Sequence, residues 1–159
     1  MATLDEPVRI EAGTSVDLDG VMEVMDAAFG DAFGEAWTRS QLAGILPMGG
    51  VELKVARASA TGSMLGFSLT RSVADESELL LLAVDPKSQR TGIGRRLLED
   101  FVGSARRQRL VRVHLEVRDG NPAISMYRAA GFLPVGRRRN YYQGFSGKRF
   151  DAVTLALLL

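Results

Sequence analysis

The chain alternates between two hydrophobic periods. From Asp17 to Phe29, apolar residues recur at Leu18, Val21, Met22, Met25 and Phe29, a spacing that gathers them on one side of a helix. Ile93, Leu97, Leu98, Phe101 and Val102 do the same across Gly92–Arg107. Between Arg112 and Val117 the period is two. Val113, Leu115 and Val117 fall on one face of a strand, and Arg112, His114 and Glu116 on the other. Val8–Ala12, Val51–Ala58, Met64–Val73, Leu133–Tyr142 and Asp151–Leu159 also read as strands, with a turn at Ala60-Thr61-Gly62. Glu78–Val84 is nearly all apolar, as a strand covered on both faces should be, and Asp85-Pro86 ends it.

Thr38 followed by Gln41 is a capping-box pattern and predicts the start of a second helix. Pro122 suits the first turn of another, which stops at Gly131. Gln143–Lys148, with two glycines, reads as a loop. The predicted order is strand, two helices, three strands, helix, strand, helix, two strands. Strands interleaved with helices imply a mixed α/β sheet.

Composition removes several kinds of function. The 159 residues are expected to form a single domain over 1–159, with 46% hydrophobic and 25% charged residues, as in soluble proteins. A net charge of +1 gives no case for direct nucleic-acid binding. The absence of cysteine excludes disulfides, thiolate metal sites and a cysteine nucleophile, and the single histidine excludes multi-histidine centres. No metal is therefore expected. Met1–Ile10 is acidic and lacks an apolar core, so no signal peptide is expected. The longest apolar runs, near Leu79–Val84 and Val153–Leu159, are too short to span a bilayer. A cytoplasmic protein is the expectation.

The segment most informative about chemistry joins the apolar strand to the helix after it: Gln89-Arg90-Thr91-Gly92-Ile93-Gly94-Arg95-Arg96. A helix N-terminus carries free N–H groups and positive dipole, and glycines let an anion approach the backbone. The GxxxxGK[ST] and GxGxxG spacings are both absent. A plain helix start with solvated arginines is the alternative reading of this loop taken alone.

Gln89-x-x-Gly92-x-Gly94 resembles the Q/R-x-x-G-x-G/A acetyl-CoA signature of the GNAT superfamily of N-acetyltransferases. Asn121-Pro122-Ala123-Ile124-Ser125-Met126-Tyr127, ending at Ala130-Gly131-Phe132, resembles the family's second signature, although Asn121 stands one residue closer to Tyr127 than usual. The resemblance implies a mixed, mostly antiparallel sheet of about seven strands with splayed central parallel strands, flanked by about four helices. It implies that Gln89, Arg90, Thr91, Gly92, Ile93, Gly94 and Arg95 hold the pyrophosphate of acetyl-CoA. Leu82, Ala83 and Val84 would pair with pantetheine like an added strand, and Asn121 and Tyr127 would also contact the cofactor.

The implied reaction is acyl transfer from a thioester to an amine. Without a cysteine, direct attack in a ternary complex is expected. The amine is mostly protonated at neutral pH, so a base is needed, and the leaving thiolate needs an acid. Glu116, near the end of its strand, is the candidate base, with Glu78 in reserve; a surface ion pair is the structural alternative. Tyr127 is the candidate acid, and a core tyrosine the alternative. His114 shares a face with Glu116 but reads as structural.

Leu115-Glu116-Val117-Arg118 and Arg138-Arg139-Asn140-Tyr141-Tyr142 resemble segments of the ribosomal-protein N-terminal acetyltransferases, the RimI type, and Asp151-Ala152 opens the last strand as it does there. That resemblance implies the α-amine of a protein N-terminus, such as that of a ribosomal protein, as acceptor. Trp37, Tyr141 and Tyr142 would flank it, although Phe33–Trp37 lacks the proline frequent in that subfamily. A small-molecule amine, or an acyl-CoA-binding module without turnover, stay as alternatives. The assembly could be a monomer or a homodimer, and no membrane partner is expected.

Overall fold

The computed structural model describes residues 7–159, so Met1–Glu6 of the acidic N-terminal stretch lie outside it. Seven strands form one sheet in the order β1-β2-β3-β4-β5-β7-β6. They are β1 (Val8–Ala12), β2 (Val51–Ala58), β3 (Met64–Val73), β4 (Glu76–Val84), β5 (Arg112–Arg118), β6 (Leu133–Gln143) and β7 (Arg149–Leu158). The helices are α1 (Leu18–Phe29), α2 (Arg39–Ile45), α3 (Ile93–Arg107) and α4 (Ile124–Ala129). Only β4 and β5 run parallel; every other neighbouring pair is antiparallel. The GNAT-like mixed sheet expected from the sequence is the one observed.

Element boundaries follow their caps. Thr14 caps a short 3-10 turn at Ser15–Asp17, so α1 begins at Leu18 rather than Asp17. Thr38 accepts from the Gln41 N–H while the Gln41 side chain accepts from the Thr38 N–H, the capping box read from the sequence. Gly92 precedes α3 with φ +86, a left-handed conformation that glycine adopts at little cost.

The sheet is covered on both faces. Val21, Val24 and Met25 of α1 and Leu42 of α2 pack on Leu53, Val55, Phe67, Leu69, Leu81 and Ala83. On the other face, Leu98, Phe101 and Val102 of α3 and Tyr127 of α4 pack on Leu79, Val113, Leu115, Val117 and Leu155.

Two features of β4 open this sheet. Leu69 pairs with Leu81 and Thr70 with Leu79, so Leu80 is the extra residue of a β-bulge. The bulge reverses which way the side chains point, and Leu79 and Leu81 enter opposite cores. The parallel pairing also stops early. It joins Glu76–Leu79 to Arg112–Leu115 and goes no further. Beyond it, β4 runs on to Val84, while β5 stays paired with β7 as far as Arg118–Ala152. The edge of β4 that faces β5 is thus unpaired from Leu80 to Val84, and the two strands diverge as a wedge.

Candidate active site

One side of the wedge is made by β4, α3 and α4. After β4, the Asp85 side chain accepts from the Lys87 N–H and starts a 3-10 turn at Pro86–Ser88. Gln89 Nε2 donates to the Val84 carbonyl at 3.2 Å and folds the loop back on the strand end. Arg90 and Gly92 both have positive φ, at +63 and +86. No side chain caps α3, so its first N–H groups are free of intrahelical partners. These N–H groups suit the pyrophosphate of acetyl-CoA, and the open edge of Leu82, Ala83 and Val84 suits an amide-bearing chain laid along it.

Side chains near the loop divide the work. Ile93 is buried, so it anchors the helix start in the core. Thr91 Oγ1 donates to the Ser88 carbonyl. Arg95 is exposed and faces Glu99 at 3.9 Å, whereas Arg96 turns away and donates to the Val8 carbonyl at 2.9 Å. Gly94 is the throat of the wedge. A Cβ there would meet Met126 Sδ at 3.4 Å, Val84 Cγ2 at 3.6 Å and Leu82 Cδ2 at 3.9 Å. Any larger side chain would fill the space between β4 and α4.

The other side of the wedge carries the carboxylate and tyrosines singled out in the sequence. Glu116, with its side chain 15% exposed, projects from β5, and Arg138 Nε of β6 lies 2.8 Å from its Oε1. The 5.5 Å between the Arg138 guanidinium and the ring of Tyr141 places that ring against the same pair. A large bulge in β6 brings these groups over β5. Arg138 pairs with Ala152 and Tyr142 with Phe150, so Arg139, Asn140 and Tyr141 together face Asp151. Asn140 takes φ +54 there, and its N–H donates to Asp151 Oδ1 at 2.9 Å. Arg137 fixes the bulge from outside through Asp119 and Asp151.

Tyr141 and Tyr142 lie at this point, and Tyr127 lies near Tyr142. Tyr127 of α4 is buried beneath an edge-to-face contact with Phe132 at 6.1 Å. Burial pushes its hydroxyl pKa well above the ordinary value, and the charge of Glu35 adds to this. Tyr142 is pushed up in the same way, by burial first and then by Tyr141, Glu116, Glu35 and Tyr127. Half-exposed Tyr141 is raised by burial and then by the charge of Glu116. Tyr141 and Tyr142 stack edge-to-face at 4.9 Å. Glu78, on the neighbouring strand, faces His114 Nε2 at 3.7 Å, and His114 Nδ1 is buried without a partner.

The sequence did not point to Glu35, which lies in the connection between α1 and α2. Its carboxylate is 3.2 Å from Arg118 Nε, and both side chains are 10% exposed. Asn121 Nδ2 donates to Glu35 at 2.8 Å, and Asn121 Oδ1 accepts from the Ala123 N–H at 2.8 Å. Both polar atoms of Asn121 therefore serve the protein itself. Phe33 covers the Arg118 guanidinium at 3.6 Å and meets Phe150 edge-on at 5.1 Å. The connection is sealed to the β6–β7 hairpin by the Phe145 N–H, which donates to the Asp31 carbonyl at 2.9 Å. Trp37 is half-buried against the α1 core, and its backbone N–H donates to Met25 Sδ at 3.3 Å, so it backs this wall. Gly34 and Glu35 match no motif, and only the folded contact between loop and hairpin brings them to the site.

Among the described residues, no three histidine, aspartate or glutamate side chains are grouped as metal ligands would be. No helix there is long and apolar enough to cross a membrane.

Known proteins share this architecture and parts of the sequence. Residues 23–146 match the family model of the acetyltransferase (GNAT) domain. The chain is 41% identical over 97 residues to the [ribosomal protein bS18]-alanine N-acetyltransferase of Escherichia coli K12, a match covering 60% of this chain and 65% of that protein. It is 41% identical over 87 residues to the N-alpha-acetyltransferase RimI of Mycobacterium tuberculosis, covering 52% of this chain and 53% of the relative. The matched stretches thus span between about half and just under two thirds of these relatives. The crystal structure of the Escherichia coli ribosomal-protein-S18-alanine N-acetyltransferase superimposes with a TM-score of 0.85 at 31% identity, over 96% of this chain and 94% of that one. The wedge, the uncapped glycine-bearing helix start and these matches place the chain in the GNAT acetyltransferase family.

Proposed function

We propose that the protein transfers an acetyl group from acetyl-CoA to the N-terminal α-amine of a protein, a ribosomal protein being the favoured acceptor. The observation that carries this reading is that Glu116, paired with Arg138, sits with Tyr141 and Tyr142 beside the wedge where β4 and β5 part. The similarity to ribosomal-protein-alanine acetyltransferases supports the choice of acceptor.

Each group has a defined task in one direct step. Glu116 takes a proton from the α-ammonium, directly or through a water, and frees the nitrogen lone pair. That nitrogen bonds to the thioester carbonyl carbon, and as the C–S bond breaks it gives its second proton to water and becomes the neutral amide. Tyr127, which burial keeps protonated, gives its proton to the departing sulfur and regains one from solvent. Tyr141 and Tyr142 offer apolar area and hydroxyls to the acceptor backbone, and Trp37 supports the wall opposite. An α-amine titrates about two units below a lysine amine, so a single carboxylate suits it better.

Thiol release from acetyl-CoA tests the reading. A peptide with a free N-terminal alanine should react much faster than the same peptide blocked at its N-terminus and carrying a lysine. Faster reaction of the lysine peptide, an aminoglycoside or a polyamine would reject the acceptor assignment. No turnover with any amine would leave acyl-CoA binding as the function.

A further inference from the structure

The Glu116 carboxylate is already occupied. Arg138 Nε lies 2.8 Å from Oε1, although the arginine side chain is 62% exposed and its partner only 15%. A mostly solvated cation thus reaches inward to a mostly buried anion. The other charged and titratable groups facing that carboxylate do not neutralise it. Tyr141 and Tyr142 are neutral, Glu78 carries the same sign and is turned to His114, and Arg118 is committed to Glu35. The bulge that positions Arg138 is fixed by Arg137, Asp119 and Asp151, so the Glu116 contact is not needed to shape the strand. The ring of Tyr141, 5.5 Å from the guanidinium, gives Arg138 a second resting place.

We propose that Arg138 is a placeholder: its guanidinium holds the seat of the acceptor's α-ammonium on Glu116, and any ligand of that seat, charged or neutral, enters by displacing it. The inference rests on Glu116 being the site of the acceptor amine. A cationic amine replaces the lost ion pair with one of its own, whereas an uncharged ligand leaves Glu116 without a counter-charge and with only the neutral Tyr141 hydroxyl beside it. Acetylation turns the ammonium into a neutral amide. The product therefore has nothing to hold against the returning arginine, and Arg138 favours its departure. Glu116 is the group that tells ammonium from amide, and Arg138 lowers the affinity of both by the strength of the pair it must give up.

A double-mutant cycle on peptide affinity tests this. Calorimetry with saturating CoA, which cannot react, would measure binding of an alanine-led hexapeptide with a free N-terminus, and of the same peptide N-acetylated. The proteins are wild type, Arg138→Gln, Glu116→Gln and the double variant. Removing the placeholder should tighten both peptides about two- to fivefold, the strength range of a largely exposed ion pair. In the Glu116→Gln background, Arg138→Gln should change neither. Weaker binding to Arg138→Gln would show that Arg138 contacts the peptide, and unchanged binding with lower kcat would show that it only positions Glu116. Either result overturns the proposal. Full turnover in Glu116→Gln would instead remove the catalytic reading, independently of the cycle. Circular dichroism should match wild type, because the Arg138 side chain is exposed and Glu116→Gln keeps the shape of the side chain it replaces.

Discussion

At the scale of single residues, the strict alternation of β5 made Glu116 legible, since a polar face beside a buried apolar one can be counted off the sequence. Its partner Arg138 was not legible, because a three-residue bulge decides which β6 side chain reaches β5. Tyr127 stands out in the sequence by its place in the second motif, and folding adds that burial holds its hydroxyl neutral. Asn121 stands out the same way, yet its amide is spent on Glu35 and on the start of α4. The chemistry at Glu116 has a direct test. Glu116→Gln should lower kcat with a free-N-terminus peptide by about two to four orders of magnitude at neutral pH. The deficit should shrink towards alkaline pH, where the amine arrives neutral and needs no base. A deficit that is absent at neutral pH would shift the role to Glu78 or to solvent.

At the scale of elements, the order and type of every helix and strand followed from hydrophobic period and caps, because each element's buried face is written locally. What was not written locally is where pairing stops. β4 reads as one apolar run, and nothing in that run marks the bulge at Leu80 or the end of its pairing with β5 at Leu79. Those depend on partners far along the chain. The same holds for the α1–α2 connection, where a Cβ on Gly34 would collide with the Gln143 carbonyl, so glycine is required by a contact made only in the fold. The element that joins sequence motif to function is the start of α3. Gly94→Val should reduce acetyl-CoA affinity at least about tenfold, equivalent to about 1.4 kcal/mol, by filling the throat between Leu82, Val84 and Met126. The nearest atoms are side-chain ends at ordinary contact distance, so the fold should survive. Calorimetry with acetyl-CoA, alongside circular dichroism, separates the two effects, and wild-type affinity in a folded variant would displace the site from the wedge.

At the scale of the whole molecule, the site lies where the two cores meet. Tyr127 descends from the helix layer on one face, Glu35 comes from the connection packed on the other, and Tyr142 arrives on the edge strand beyond β7. Bringing them together leaves a thermodynamic mark that does not depend on turnover. Tyr127 and Tyr142 are both held protonated, chiefly by burial, and their pKa values are raised relative to the unfolded chain. Below pH about 10, the usual tyrosine value, both states keep the proton and these groups add no pH dependence. Above it, the unfolded chain ionises while the native tyrosines do not, so the unfolded state gains and stability falls. The slope approaches about 1.4 kcal/mol per pH unit for each such tyrosine. Urea unfolding near pH 8 and near pH 10.5 should therefore show a stability loss that is smaller in Tyr127→Phe, and smaller again when Tyr142→Phe is added. A phenyl ring keeps the packing and has no proton to lose. If the alkaline loss is as steep in the double variant as in wild type, the tyrosines do not stay neutral in the native site, and Tyr127 loses its standing as the proton donor.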